Sequence, residues 1–438
     1  MLARVGCLLF AVLTMACSGS AGGSGSAPTT PDAATPSATE DTAAAPDLEP
    51  PPPPEPTCDD KVINGAETGR DCGGGTCAPC GLADGCVVNA DCTSGKCTAS
   101  MCVEALGTLL GLGDGGPTSV TWTPIVTQKL DAPADLAFNP QDPDELYVVN
   151  EDSDSVTIVT KPGTPDMKVA RFVDQEHHFL EQVVTVAFGD QGTFATCGDS
   201  RNTYNDQAPG NDFMGPVLWP SGIADFQFYG PDASAVHLDM LHNSPLCTGI
   251  AADTGNAFYV VNGFKGTIDW YDFKAPHEHG ATDHSDGIKR RYAGVGLVRK
   301  AGVPSHMVLA DDGWLYVADT GNSRIVRLDT ATGKKTGTQQ TYPDEHAIDL
   351  YTGANVQVVV EAKSGTLFDP SGIELDDDTL YVTDNANGVL SAFDLEGHRT
   401  NVLDSGLGEG ALAGLTVGPD GKLWLVDRLA ERVVRIDP

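Results

Sequence analysis

The chain is poor in positive charge. Its 438 residues hold Lys+Arg 26 against Asp+Glu 61, a formal net charge of −35. Holding a phosphate backbone or an anionic lipid surface takes clustered cations, so nucleic acid and charge-driven membrane binding are excluded. The acidity itself fits plain solubility, a salty medium or widespread cation binding, and charge alone leaves these open. Long apolar runs are missing too. Beyond the first residues no stretch reaches 18 consecutive apolar residues, so no later helix is long enough to cross a bilayer. There is no nucleophile elbow, phosphate-binding loop, dinucleotide fingerprint or zinc-protease helix motif, and the enzyme classes that rest on them find no support. What is plentiful is Gly 50, Pro 29 and Cys 12, the composition of many tight turns plus an extended linker.

Met1 to Arg4 form a short positive region, and Val5 to Leu13 an apolar one too short to span a membrane. Thr14-Met15-Ala16-Cys17 follows and resembles a bacterial lipobox, with Thr14 where that motif usually has Leu. The resemblance implies a signal peptide over 1–17, a lipidated Cys17, and a place in the cell envelope or at the outer membrane surface of a Gram-negative bacterium. The alternative is ordinary cleavage near Ala16 or Ala21 and free secretion. A lipid anchor is then the sole expected link to a membrane.

Residues 18–57 are Ser, Ala, Thr, Pro, Gly and acidic residues, a composition that cannot bury enough apolar surface to fold and is expected to be a disordered linker. Residues 58–104 hold Cys58, Cys72, Cys77, Cys80, Cys86, Cys92, Cys97 and Cys102. An even count at that density in an exported chain predicts a disulfide-rich module with connectivity open. Cys77-Ala78-Pro79-Cys80 also has zinc-ligand spacing, the rival reading. The stretches "NGAETGRDCGGGTCAPC" and "CVVNADCTSGKC" resemble a cysteine-rich repeat of large bacterial surface proteins, which implies no enzymatic activity.

From Thr118 to Pro438 the pattern becomes short alternating strands and Gly/Asp/Asn turns, and it repeats. The clearest units are "VPSHMVLADDGWLYVADTGNSRIVRLD" (303–329), "DPSGIELDDDTLYVTDNANGVLSAFD" (369–394) and "ALAGLTVGPDGKLWLVDRLAERVVRID" (411–437). Further copies fall at 132–159, 181–200 and 244–270, the second with its third strand expected at Phe226–Tyr229 after an insertion. Each unit predicts an inner strand, a Leu-Tyr-Val-type second strand ending at Asp or Asn, a third strand, and a variable fourth such as Val169 to Val173 or Val356 to Glu361. Six such units predict an all-β, six-bladed propeller. The last unit lacks a fourth strand, and Val120 to Val126 is available to supply it and close the ring, giving a monomer without exposed edges. The unit at 303–329 resembles an NHL repeat, which implies the same fold and a recognition role.

Loops entering the inner strands and loops joining second to third strands share one face of a propeller. That face would gather His178, His242 and His306, with Asp135, Ser371, Asn150, Asp152, Asp199, Asn262, Asp319, Asp384 and Asp427. Three His from successive blades suggest one zinc site. The architecture is similar to peptidyl-amidating lyases, whose "VPH" entry to an inner strand is here Val303-Pro304-Ser305-His306. Calcium would need oxygen ligands from several blades. The Asp and Asn at second-strand ends are expected to cap turns instead. A separate loop, "HEHGATDHSDG", carries His277, His279 and His284; its place between third and fourth strands predicts the opposite face. Cys197 and Cys247 are expected to form a disulfide between adjacent blades. Two functional readings follow: a surface platform recognising a protein, peptide or glycan, or a zinc- or calcium-dependent lyase or hydrolase at the channel mouth.

Overall fold

The computed structural model describes residues 57–438 apart from 95–96, 99, 104–107, 112–113, 175–177, 191, 202–211, 223–236, 279–280, 341, 343–344 and 363–364. Cys17 and nearly all of the 18–57 linker lie outside the described residues.

Six sheets, antiparallel but for one added parallel pair, form the six blades of a propeller. Their inner strands are Pro133–Asn139, Val183–Phe188, Cys247–Ala252, Met307–Leu309, Pro370–Asp376 and Leu412–Val417, opening blades 1 to 6. The second strands are buried on both faces, because each blade is sandwiched between two others. Leu146, Tyr147, Val148 and Val149 of blade 1 all have 0% exposure. Alternation of polar and apolar residues therefore disappears there, as it does in any strand covered on both sides. Complete burial of such a side chain contributes about 1.5–3 kcal/mol.

The turn grammar has a visible cause. Asp319 ends the second strand of blade 4, opposite Arg324, which begins the third. Its carboxylate accepts hydrogen bonds from the Val298 N–H at 2.9 Å, from Asn322 at 2.8 Å and from Arg324 Nε at 2.7 Å. Asp427 repeats this with Ala430 N–H at 3.1 Å and Arg432 at 2.8 Å. Asp384 accepts three backbone N–H groups, from Phe368, Asp369 and Ala386. These carboxylates are structural turn caps, as the sequence predicts.

Blade 6 takes its fourth strand from the start of the propeller: Thr121–Val126 pairs antiparallel with Arg432–Asp437. The segment before it docks on blade 5, where Gly115 bridges Leu403 and the Leu109 N–H donates to the Tyr381 hydroxyl at 3.1 Å. In blade 2 the third strand is Val217–Pro220, paired with Thr193–Gly198. The expectation of Phe226–Tyr229 is thus corrected, and those residues fall outside the described set. The apolar, fully buried Val217-Leu218-Trp219-Pro220 fills the slot, with the Trp219 ring stacked near Phe194.

Blade 3 carries more strands than expected. Its fourth strand, Ile288–Tyr292, pairs in parallel with Ile348–Thr352, which pairs in turn with Lys334–Gln339. This hairpin is inserted between the third and fourth strands of blade 4, Arg324–Asp329 and Val356–Val360. Its free edge is "KKTGTQ", exposed and led by two Lys, the usual protection against edge-to-edge pairing.

The cysteine-rich module holds four disulfides, Cys58–Cys77, Cys72–Cys80, Cys86–Cys97 and Cys92–Cys102. This settles the connectivity and removes the zinc reading of Cys77 and Cys80, whose thiolates are consumed. A fifth bond, Cys197–Cys247, ties the second strand of blade 2 to the inner strand of blade 3.

Candidate functional site

The inner strands build the channel. Five of them break register near their first residues, between Pro133/Asp135, Val183/Thr185, Cys247/Ile250, Pro370/Ile373 and Leu412/Leu415. A bulge re-aims the residue it carries. The third residue of each inner unit then meets the next blade: Asp135, Thr185, Gly249, His306, Gly372 and Gly414 around the ring. At three of these positions no side chain fits. A Cβ on Gly249 would lie 2.1 Å from the Ser305 carbonyl oxygen, on Gly372 2.2 Å from that of Ala413, and on Gly414 2.4 Å from Asp135 Oδ1.

The polar members are tied to each other. Asp135 Oδ2 accepts from the Val186 N–H at 3.0 Å and from the Thr185 hydroxyl at 3.2 Å, and Oδ1 from the Leu136 N–H at 2.9 Å. His306 Nε2 is 3.0 Å from the Val184 carbonyl oxygen, and Nδ1 is 3.5 Å from Asp135 Oδ1. Burial pushes the Asp135 carboxyl above its ordinary range, and His306 and the donated hydrogen bonds oppose this.

Two residues further along, the period-2 geometry of a strand faces the channel again. There the ring reads Ala137, Ala187, Ala251, Val308, Glu374 and Thr416, lining a cavity of 260 Å³ to which every inner strand contributes. Glu374 is its one acid at that level. Burial, then the charge of Asp135, pushes its carboxyl up to about 8, against a hydrogen bond from Thr416. Val308, Leu309 and Glu374 also line a second pocket with Asp311, Asp312, Asp377 and Asp378, at the turns between first and second strands.

The three-histidine zinc site is corrected. Among the described residues His178, His242 and His306 are not a group whose ligand atoms converge. His306 lies in the channel, bonded to Val184. His242 is held elsewhere: its backbone N–H donates to Glu345 Oε1 at 3.2 Å, and its Nδ1 contacts the same carboxylate. Glu345 comes from the hairpin inserted in blade 4 and also pairs with the buried Lys289 of blade 3. Burial would raise the Glu345 carboxyl, but His242 and Lys289 hold it below its ordinary range. His178 donates its backbone N–H to Asp174 at 3.1 Å and packs on Phe179, ring centroids 3.9 Å apart.

His284 does not sit on a far face from His242; their ring centroids are 5.9 Å apart. After the third strand of blade 3 the chain reaches the short outer strand of blade 2, Asp239–Met240, the His277 N–H donating to the Leu238 carbonyl at 3.1 Å. Asp239, His277 and His284 thereby converge, their ligand atoms within 4.8 Å of one another. His279 lies outside the described residues. Sequence reasoning missed Asp239, Glu345 and Glu374. A lone acid outside the repeat pattern gives no signal for the first two, but Glu374 stands where sister repeats carry Ala, Val or Thr.

The fold defines the chain as a six-bladed β-propeller. No protein-family model and no curated protein matches it. It is similar to an auxiliary nutrient binding protein from Bacteroides thetaiotaomicron VPI-5482, with 13% identity over 73% of each chain and a TM-score of 0.47. It is also similar to virginiamycin B lyase from Staphylococcus aureus, 10% identical over 73% of this chain and 99% of that one, TM-score 0.42. Glutaminyl cyclase from Myxococcus xanthus is 17% identical over 61% and 94%, TM-score 0.33. Likenesses this distant carry no argument about activity.

Proposed function

We propose that the propeller is a recognition platform whose central channel takes a cationic group of a partner, such as a Lys or Arg side chain of a peptide or protein. The observation that carries this reading is the 260 Å³ cavity, ringed at one level by Ala137, Ala187, Ala251, Val308 and Thr416, with Glu374 facing it and an acidic outer pocket beyond. That volume suits one side chain or a small amine rather than a drug-sized molecule. The polar groups at the other level, Asp135 and His306, are engaged with backbone and with each other, which supports binding over catalysis there. Five disulfides support an oxidising compartment outside the cytoplasm. With the lipobox-like Cys17 and the 18–57 linker, the reading is an envelope or secreted protein presenting an NHL-like propeller.

The test is calorimetric titration with Nα-acetyl-lysine amide and Lys/Arg peptides. Binding is expected in the wild type and at least about tenfold weaker in Glu374→Gln. A carboxyl at about 8 is mostly protonated at neutral pH and ionised above it, so affinity should rise towards pH 9. No cationic probe binding, or equal binding by Glu374→Gln, refutes the reading.

A further inference from the structure

A different part of the molecule holds metal-ligand chemistry. Asp239 lies on the outermost strand of blade 2 with 0% exposure. Its Oδ1 accepts from the Met240 N–H at 2.7 Å and contacts His284 Nδ1 at 2.6 Å. Its Oδ2 is buried and has no hydrogen-bond partner among the described residues. His277 Nε2 is likewise buried and unpartnered among the described residues. Orphaned buried polar atoms are costly, and a buried carboxylate oxygen beside an orphaned imidazole nitrogen is doubly so. A cation bound between them satisfies both.

The chemistry of His277 fits. Its Nδ1 is 2.7 Å from the Glu278 carbonyl oxygen, which only accepts, so Nδ1 carries the proton and Nε2 presents a lone pair. This is the arrangement in which a ligating imidazole is oriented by an outer carbonyl. The loop is also braced: the Ala275 N–H donates to Asp286 at 3.1 Å and the Ser285 N–H to Asp283 at 3.1 Å. Two imidazoles and one carboxylate are borderline-soft ligands suited to zinc and its first-row neighbours rather than calcium or magnesium.

We propose that Asp239, His277 and His284 bind one divalent transition-metal ion, zinc by ligand type, clamping His277 and His284 of blade 3 to the outer strand of blade 2. Three protein ligands leave a fourth position to water or a bound molecule. The site is independent of the channel and of the cationic-ligand reading.

The test is elemental analysis of the full chain purified without a histidine tag, followed by chelation and titration with Zn²⁺ and with Co²⁺, whose visible absorption reports ligand geometry. About one ion per chain is expected. His277→Ala and His284→Ala should each weaken affinity more than about 100-fold, and Asp239→Asn should shift the Co²⁺ spectrum. Far-UV circular dichroism confirms that the variants fold; both His lie on a loop. His398→Ala, exposed on blade 5, and His306→Ala, in the channel, should keep wild-type affinity. Chelated protein that takes up neither ion overturns the proposal, as does an ion bound equally well by His277→Ala and His284→Ala.

Discussion

The channel and the outer edge of blades 2 and 3 both hold buried charged residues, yet they solve opposite problems. In the channel, space is scarce. Three inner strands carry Gly because the next blade passes within 2.4 Å of where a Cβ would be, and Asp135 and His306 bond to the backbone of blade 2. At the outer edge, space is available and backbone is sparse. There the His242–Glu345–Lys289 cluster and the Asp239–His277–His284 group are made by side chains from the outer strands of blades 2 and 3 and from the loops beside them. Symmetric repetition makes a tight ring; insertions between blades bring unlike side chains together.

The contrast predicts where a substitution hurts most. Glu345→Ala should be the most damaging single change, costing about 3–5 kcal/mol in urea unfolding, because it removes the carboxylate that pairs with the buried Lys289 and His242. Replacing the pair together, Lys289→Met with Glu345→Leu, should recover most of the loss. If Glu345→Ala alone is neutral, the hairpin is not an integral part of blade 3. Gly414→Ala should cost about 1–3 kcal/mol, since its Cβ would meet the backbone as well as the carboxylate of Asp135. A cost no greater than that of Ala at the open Gly337 would show that the ring is looser than described.

The smallest effect concerns Glu374. With its carboxyl raised to about 8 in the fold, the folded protein binds more protons than the unfolded chain between the ordinary value of 4.5 and 8. Stability therefore falls as pH rises through that window. Glu374→Gln should remove this dependence and raise stability near pH 9 by about 1 kcal/mol, discounted for its contact with channel water, while changing little near pH 5. Thermal unfolding across pH measures it; identical profiles for variant and wild type would place the acid in open solvent.

Much of the ring was readable before any coordinates. Six repeats, the Asp319 and Asp427 caps, the Cys197–Cys247 bond and the closing strand at 121–126 all rest on neighbours in sequence or on an unpaired edge that had to be filled. Period-2 alternation and turn residues act over a few positions, so they are legible locally. The placement of His178, His242 and His306 was not. Shared position in a repeat says which end of a blade a residue occupies, not whether its side chain points into the channel or outward along the blade.

The sequence by itself determined the strand grammar, the blade count, the turn caps and the disulfide content, because each follows from local sterics, hydrogen bonding and redox chemistry. Only the tertiary structure decided that a hairpin from blade 4 extends blade 3, that Asp239 meets His277 and His284, and that Glu374 lines the channel. Those contacts depend on how irregular connections of unequal length travel across neighbouring blades, and such connections carry no periodic pattern from which their path could be read.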